Sequence, residues 1–509
     1  MNSTRSRADA TRLPWTPLLL ALTAASALLS LAGCSAEASA ENPGPGTGGQ
    51  LATSGGSNTT SGGAHTGGSA GATSGGSNPG GGAAGAVGTG GANAGSGGIA
   101  GGAGTSGAAG AGSTQTALCR LQLTCTQEII DEPKRNCALT ILDGANTQLF
   151  MDQAGVELRG RSSLRYPKSN YGIELRTAAG LESPVAMMGM GKESDWILDG
   201  SWVDRSFFRN DLVFALFRAL GRYAPESRAC TLSLNGQNRG IYRLREKIKR
   251  DDDRVALPED DGSGQSFIIS QDDDGTLNFP VGGATNSGIW QLVYPKADTA
   301  TAAQKTAVQA FLDALRASMN SADPGNASNG VFTYLDFAST VEFVLLEEFS
   351  KNIDAYNLSL NLAKAPGQPA TFIPWDFDLA LGQPIIRNAS SPNEAPEGWV
   401  QNRTPFITAL CKIPALPARL GPRWRELRAG PFSDAAIGKT LDDLARPLDP
   451  TALAENFSVW PIAEVDFSQI YRPYSLYPVS SYSEEVQHLR TWISARLAWL
   501  DAHIDAYPN

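Results

Sequence analysis

The stretch YLDFASTVEFVLLEEFSKNIDAYNLSLNLAKAPGQPATFIPWDFDLALG (334–382) carries several structural signals in a fixed order. Apolar residues recur with helical spacing up to about Asn352, and IDAYN (353–357) follows as a short acidic loop. LSLNLAK (358–364) alternates as a strand does, APGQPA is typical of a turn, and TFIPWDFD (371–378) predicts a second strand. The order therefore predicts a helix, an acidic loop, a hairpin and an acidic strand end.

Two aspartates, Asp376 and Asp378, stand between apolar residues such as Trp375 and Phe377. In an extended strand, residues i and i+2 project to the same face. Like charges at close range repel each other and burial adds to the cost, so the pair needs a shared proton, a basic partner or a cation such as Mg²⁺. The alternative is a solvated surface pair at a strand end. Because a hairpin folds back on itself, we expect the pair to lie near Asp354, in an arrangement typical of metal–phosphate sites.

Composition excludes some classes of function. The chain has 509 residues, a formal net charge of −10 and 3 histidines. The acidic balance argues against non-specific nucleic-acid binding. So few histidines leave little for a Ser-His-Asp hydrolase or a histidine-ligated zinc site. If the protein is an enzyme, carboxylates, lysine, arginine and asparagine must carry its chemistry.

The N-terminus reads as an export signal. Arginines precede an apolar run at 13–31, and LAGC then ends at Cys34. Residues 1–33 have the basic and apolar regions of a signal peptide, and LAGC resembles a bacterial lipobox, which implies cleavage before Cys34 and lipid attachment to its sulfur. The alternatives are an ordinary signal peptide cut nearby and an uncleaved anchor. Since Ser35 is not an acidic retention signal, we expect a lipid-anchored protein of the outer membrane or cell surface.

Residues 34–113 are rich in Gly, Ser, Ala and Thr, and such a segment cannot bury enough apolar area to fold. We expect a flexible tether, followed by one globular domain at 114–509 and a monomeric protein. The chain has 6 cysteines. Three of the cysteines left after Cys34 is assigned to lipid, Cys119, Cys125 and Cys137, cluster near the domain start, which predicts one local disulfide there in an exported protein. Because the number left is odd, at least one thiol is free or paired elsewhere.

Two hairpins are predicted on the N-terminal side of the domain. VELRGRSSLRYPKSNYGIELR (156–176) pairs two strand-like runs around a basic, Ser-rich tip. The tip is either a solvated loop or an anion cradle in which backbone N–H groups, Arg161 and Lys168 meet phosphates. TLSLNGQNRGIYRLREKI (231–248) turns at Asn-Gly.

Other segments have a structural interpretation. DRSFFRNDLVFALFRALG (204–221) predicts an amphipathic helix capped by Asp204 or Ser206. SSYSEEVQHLRTWISARLAWLDAHI (480–504) predicts a packing helix, in which His488 is incidental, and RWREL (423–427) is also interpreted as structural. The acidic runs at 251–253 and 272–274 lack EF-hand spacing and are interpreted as solvated loops.

The order of elements in 334–382 resembles the catalytic core of protein kinases: a helix, a loop with a base Asp, a hairpin and a metal-binding Asp. DFD stands where D-F-G would be, and NID where H-R-D would be. More specifically, the sequence resembles the CotH family of spore-coat-type secreted kinases. The motifs that carry this resemblance, over roughly 140–400, are RGRSS…PKSNYGIEL, WVDRSFFRNDL, NGQNRGIYRLREK, NIDAYN and PWDFDLALG.

The resemblance implies an α+β, atypical kinase-like fold of two lobes with a reduced N-lobe, and ATP with Mg²⁺ (or Mn²⁺) as phosphoryl donor. It places Lys168 on the phosphates and Glu246 at the acid that follows the G-x-Y strand. It makes Asp354 the catalytic-loop Asp and Asp376, with Asp378 beside it, the metal-binding Asp. Phosphoryl transfer needs positioning and charge neutralisation more than covalent catalysis, which these residue types supply.

Two departures from the pattern bear on activity. The position five residues after Asp354, where kinases carry a metal-binding Asn, is Ser359, and Asn357 and Asn361 bracket it as candidate ligands. The family more often shows RGNSS and a lysine pair, where this chain has Arg161 and Ser169.

Two hypotheses follow. The first is a surface-anchored kinase that phosphorylates Ser/Thr side chains of other proteins and of its own tether. The second is an inactive kinase-like lipoprotein that serves as a binding or structural module. AMP or amino-acid transfer on the same fold is also open.

Overall fold

A computed structural model describes residues 115–271, 277–278, 289–386, 394–400, 404–471 and 474–508 of the chain. The predicted signal peptide, Cys34, the tether and the acidic run at 272–274 lie outside these residues.

Helices and strands are both present, which confirms the α+β class. The strands are β1 Cys119–Cys125, β2 Arg135–Leu142, β3 Gln148–Arg159, β4 Asn170–Arg176, β5 Val185–Met187, β6 Met190–Glu193, β7 Asp195–Asp199, β8 Ser227–Leu234, β9 Gln237–Glu246, β10 Phe267–Gln271, β11 Leu277–Asn278, β12 Ile289–Tyr294, β13 Leu360–Lys364, β14 Thr371–Ile373, β15 Pro384–Ile386 and β16 Tyr474–Leu476. The helices are α1 Arg209–Arg218, α2 Ala302–Met319, α3 Phe337–Ser350, α4 Pro405–Cys411, α5 Ala415–Arg428, α6 Asp434–Ala445, α7 Pro450–Val459 and α8 Tyr482–His503.

The N-terminal strands close into a barrel in the order β1-β2-β3-β4-β7-β9-β8. Neighbouring strands run antiparallel except at the closure, where β1 lies parallel to β8. Alternate residues of β1 are buried, as strict alternation predicts for a strand with one face on a core. Both predicted hairpins are confirmed, as β3–β4 and as β8–β9 around Asn235 and Gly236, whose positive φ suits a tight turn.

Two disulfides fasten the first strand into the barrel. Cys125–Cys137 joins β1 to β2, and Cys119–Cys230 joins β1 to β8. The local disulfide expected near the domain start is thus confirmed. Cys411 is buried and keeps its thiol, with the sulfur 3.9 Å from the Tyr507 hydroxyl oxygen.

A second sheet has the order β11-β12-β10-β13-β14. Its inner face shares one hydrophobic core with α1, α2, α3 and the C-terminal helices, whereas the barrel interior forms a separate core. The packing face predicted for the C-terminal helix is confirmed in α8, where Leu489, Trp492 and Ile493 are buried. None of the helices within the described ranges is long and apolar enough to cross a membrane.

The helix predicted at 204–221 is shorter than expected. It begins at Arg209 because the preceding segment is a turn, in which Asp204 accepts hydrogen bonds from the backbone N–H groups of Ser206 (3.1 Å) and Arg209 (2.7 Å). The N-cap is Phe208, which makes no side-chain capping hydrogen bond, so the predicted cap at Asp204 or Ser206 is wrong. Asp204 instead reaches the first helical N–H from the preceding turn. Gly221, with φ of +78°, follows the end of the helix.

Candidate active site

The loop that carries Asp354 follows α3 directly. Lys351 ends the helix in the left-handed conformation, with φ of +46°. The side chain of Asn352 then accepts a hydrogen bond from the Asp354 N–H (3.3 Å) and donates one to the backbone oxygen of Asp376 (2.9 Å). One asparagine therefore ties the acidic loop to the second acidic segment, and the hairpin return predicted for these two segments is confirmed.

The prediction that Asp376 and Asp378 share a strand face is wrong. Strand β14 ends at Ile373, and Asp376 has a φ of +65°, outside the extended region. The backbone turns because Phe377 donates its N–H to the side-chain oxygen of Asn210 on α1, at 2.6 Å. A tertiary hydrogen bond thus overrides the local strand pattern.

The apolar residues of this segment do anchor it, as predicted. Phe377 is fully buried and meets the Phe214 ring edge to face, with ring centroids 6.1 Å apart. Trp375 stacks on the same Phe214 ring, also at 6.1 Å. One phenylalanine of α1 therefore holds both aromatic neighbours of Asp376.

The carboxylates of Asp354, Asp376 and Asp378 are half-buried and share one electrostatic environment. Burial raises the pKa of Asp378 well above its ordinary value, and the negative charges of Asp376, Asp199 and other aspartates, Asp354 included, raise it further. The structure thus brings together the three aspartates that the sequence singled out, and their mutual repulsion is what a bound cation would relieve.

Two tyrosines border this acidic cluster. Burial raises the pKa of Tyr166, and the charge of Asp378 is the next largest cause. Burial also raises the pKa of Tyr471, with Asp354, Asp376 and Asp378 contributing, while a hydrogen bond with Ser162 of the β3–β4 tip lowers it. The hairpin tip therefore lies at the rim of the acidic cluster.

A buried ion-pair network, which sequence reasoning missed, lies beside the cluster. Arg245 on β9 contacts Asp199 at 2.8 Å and Asp211 on α1 at 3.3 Å. Asp211 also pairs with Arg243, at 3.2 Å. The even spacing of Arg243 and Arg245 puts both on one face of β9, which is the signal that the sequence offered.

Lys168 is buried between β9, α7 and the segment that precedes α1. Its amine donates to the backbone oxygen of Ile241 (2.6 Å) and to the side-chain oxygen of Asn456 on α7 (3.0 Å). It lies 5.3 Å from the ring centroid of Phe207 and 5.0 Å from that of Tyr242. Burial lowers the pKa of Lys168 to about 7, and the charge of Asp199 opposes this shift.

The other predicted nucleotide ligands lie apart from Lys168. Arg161 is exposed at the tip of the β3–β4 hairpin. Glu246 is buried at the end of β9, where its carboxylate accepts the backbone N–H of Glu226 at 3.0 Å. Burial raises the pKa of Glu246.

The candidate asparagine ligands differ in exposure. Asn357 is exposed on the acidic loop, and its backbone oxygen accepts a hydrogen bond from the Gln271 side chain at 2.9 Å. Asn361 is buried in β13, and its amide donates to the Ser359 backbone oxygen at 3.0 Å. Within the described ranges, no group of three or more His, Cys, Asp or Glu side chains could hold a metal ion by itself. Mg²⁺ sites often use one or two carboxylates together with substrate phosphates. Two neighbouring aspartates can provide the carboxylates of such a site.

The acidic cluster lies where the barrel meets the helical body, by which we mean the second sheet and the helices packed on it. The site therefore belongs to the class in which carboxylates, rather than histidines, carry the chemistry. Residues 156–500, more than half of the chain, match the family described as CotH kinase protein. The chain belongs to this family, as the sequence motifs predicted. No curated protein matches the chain.

Proposed function

We propose that the chain is an atypical protein kinase that transfers the γ-phosphate of ATP to Ser or Thr side chains of extracytoplasmic proteins, its own tether included. Family membership supports kinase-type chemistry. The observation that carries the proposal is the shared electrostatic environment of Asp354, Asp376 and Asp378, in which Asn352 links Asp354 to Asp376.

The site residues fit a hard divalent cation with nucleotide phosphates. Asp376 and Asp378 are its proposed ligands, completed by Asn357 or Asn361, and the raised pKa of Asp378 reflects a repulsion that such a charge removes. The cation, when bound, neutralises phosphate charge. Asp354 is proposed to orient the acceptor hydroxyl and to take up its proton.

The fold supports a two-lobed, kinase-like arrangement. The barrel and the helical body have separate hydrophobic cores. The two acidic segments follow α3 and β14, which contribute to the core of the helical body. Arg161 at the hairpin tip and Glu246 in the barrel remain predicted nucleotide ligands. Lipid attachment at Cys34 and an outer-membrane or cell-surface location belong to the same proposal.

An inactive binding module is the second candidate, and one observation favours it. Ser359 occupies the position of the kinase metal-binding Asn, and its φ of +56° sets it in a tight turn of the acidic loop. With no asparagine at this position, the second metal position depends on Asn357 or Asn361.

The test incubates the full-length protein with Mg²⁺ or Mn²⁺ and with γ- or α-labelled ATP. We expect γ-label on Ser or Thr, and its loss in Asp376→Asn because a metal ligand is removed. Asp354→Asn should retain nucleotide binding and lose turnover by roughly 100-fold, the scale of general acid–base contributions.

Asp252→Asn is the matched control, since the Asp252 side chain is 94% exposed. Transfer of α-label instead would identify nucleotidyl transfer. A wild-type protein that neither binds nor cleaves ATP with either metal would favour the binding module.

A further inference from the structure

The first step concerns Lys168, the lysine that the family resemblance assigns to the phosphates. Its side chain is 1% exposed, and its amine is held by Ile241 and Asn456. To meet a phosphate, the amine would have to leave both acceptors, and the Asn456 oxygen also accepts the Ile241 N–H at 3.0 Å. These contacts indicate that Lys168 joins the barrel to α7.

A different cation, Arg159, faces the acidic cluster. It is the last residue of β3 and pairs with Asn170 at the start of β4. The Asn170 side chain accepts the Gly200 N–H at 2.7 Å, directly after Asp199 ends β7. Arg159 and Asp199 therefore lie at the same end of the barrel. Burial lowers the pKa of Arg159, and the carboxylates of Asp376 and Asp199 oppose this shift.

Arg159 contacts the first of two stacked aromatic rings, those of Trp375 and Phe214. Its guanidinium carbon lies 5.5 Å from the ring centroid of Trp375, the residue before Asp376. Trp375 in turn stacks on Phe214. The guanidinium carbon of Arg245 lies 5.5 Å from the centroid of the Phe214 ring. Arg245 is paired with two carboxylates, Asp199 and Asp211, whereas Arg159 lies over an aromatic ring. An arginine carries five N–H donors, so a guanidinium that lies over a ring can still bind a phosphate.

We propose that Arg159, whose guanidinium lies over the Trp375 ring beside Asp376, is the side chain that binds the nucleotide phosphates, and that Lys168 is a positioning residue that fastens α7 to the barrel. The proposal rests on the proposed kinase function and deepens it by assigning the phosphate contact. A planar fork that donates two N–H groups suits phosphate oxygens better than a buried amine. It also supplies positive charge where several aspartates and a triphosphate converge.

The experiment compares the full-length wild type with Arg159→Ala, Arg159→Lys and Lys168→Met. For Arg159→Ala we expect kcat/KM for ATP to fall roughly 100-fold, as for other single charge-stabilising donors. The rise in Tm on adding ATP and Mg²⁺ should also disappear, because that rise measures binding to the folded state. Arg159→Lys should recover part of both, since it keeps the charge without the fork. Lys168→Met should lower the Tm of the unliganded protein, which Arg159→Lys should leave nearly unchanged.

The matched control is Arg176→Ala, at the opposite end of the β3–β4 ladder, where Arg176 pairs with Gln153 and contacts Glu174. This variant should bind and turn over ATP within about twofold of wild type, because Arg176 lies at the end of the hairpin away from the acidic cluster. If the wild type transfers phosphate and Arg159→Ala binds and turns over ATP as well as the wild type, the assignment of Arg159 to the phosphates is wrong and the kinase function stands. A wild type that binds ATP without transferring phosphate would refute the kinase function, and the ATP-induced Tm shift of Arg159→Ala would then decide the assignment. Absence of both binding and transfer would overturn both.

Discussion

At the scale of single residues, the acidic cluster extends into the helix that precedes it. Glu347 on α3 is 4% exposed, and its second carboxylate oxygen has no hydrogen-bond partner among the described residues. Burial raises the pKa of Glu347 well above its ordinary value, and the charges of Glu348 and Asp354 add to the shift. Burial and neighbouring negative charges both disfavour the charged form of such a carboxyl.

This gives a prediction for Glu347→Gln. An acid whose pKa is higher in the folded than in the unfolded state binds more protons when folded, so its stability contribution is complete below the unfolded pKa and is lost as the pH rises. The neutral glutamine avoids that loss. We expect similar stabilities for wild type and variant at about pH 4, and a gain of at least about 1.4 kcal/mol for the variant at pH 8, one pKa unit's worth.

The measurement is the free energy of unfolding in urea between these two pH values. Glu259→Gln, at an exposed glutamate, is the control and should follow the wild-type pH dependence. A Glu347→Gln variant that is less stable than wild type at pH 8 would show that the carboxyl is ionised and paired in the folded protein.

At the scale of elements, the docking of α7 on β9 depends on a glycine. Gly240 has a φ of +81°, and a Cβ built there would lie 2.3 Å from the side-chain oxygen of Asn456. That oxygen accepts hydrogen bonds from Ile241 and Lys168, so Asn456 cannot move aside without breaking them. Both the backbone conformation and the close approach therefore require glycine.

We predict that Gly240→Ala destabilises the protein by roughly 3 kcal/mol, through strain and a clash combined. Gly236→Ala is the matched control. Gly236 lies in the β8–β9 turn and has a φ of +78°, but a Cβ added there has nothing within 4 Å. It should cost only about 1 kcal/mol of left-handed strain. Urea unfolding of both variants measures the difference, and equal losses would mean that α7 adapts to the extra carbon.

At the scale of the whole molecule, we expect a lipid on Cys34 and a flexible tether to hold the folded part at a membrane. We predict that Cys34→Ser moves the protein from the membrane fraction to the soluble fraction, because the lipid supplies most of the anchoring. Residues 114–509 alone should keep the Tm of the full-length chain, since a Gly/Ser-rich segment makes few specific contacts. A variant that stays with membranes, or a clearly lower Tm for 114–509, would contradict these expectations.

Local patterns in the sequence predicted much of this protein. Strand-like runs predicted the β3–β4 hairpin, and an Asn-Gly turn predicted the β8–β9 hairpin. Helical spacing predicted α3 and α8, and the three aspartates of 353–378 indicated the candidate site. These features depend on neighbours in sequence, where side-chain periodicity and turn chemistry act directly. The same motifs, taken together and in order, predicted the CotH kinase family.

Only the tertiary structure decided how distant elements meet. The parallel pairing of β1 with β8 closes the barrel, and no local pattern specifies a partner 111 residues away, as the Cys119–Cys230 link shows. Asp376 leaves the predicted strand because Asn210 captures the next backbone N–H. Lys168 lies over the rings of Phe207 and Tyr242, and the Arg159 guanidinium lies over the Trp375 ring beside Asp376. The chain itself determined which residue types are available for the chemistry, while burial and long-range contacts determined which of them face it, because desolvation and partner geometry exist only in the folded state.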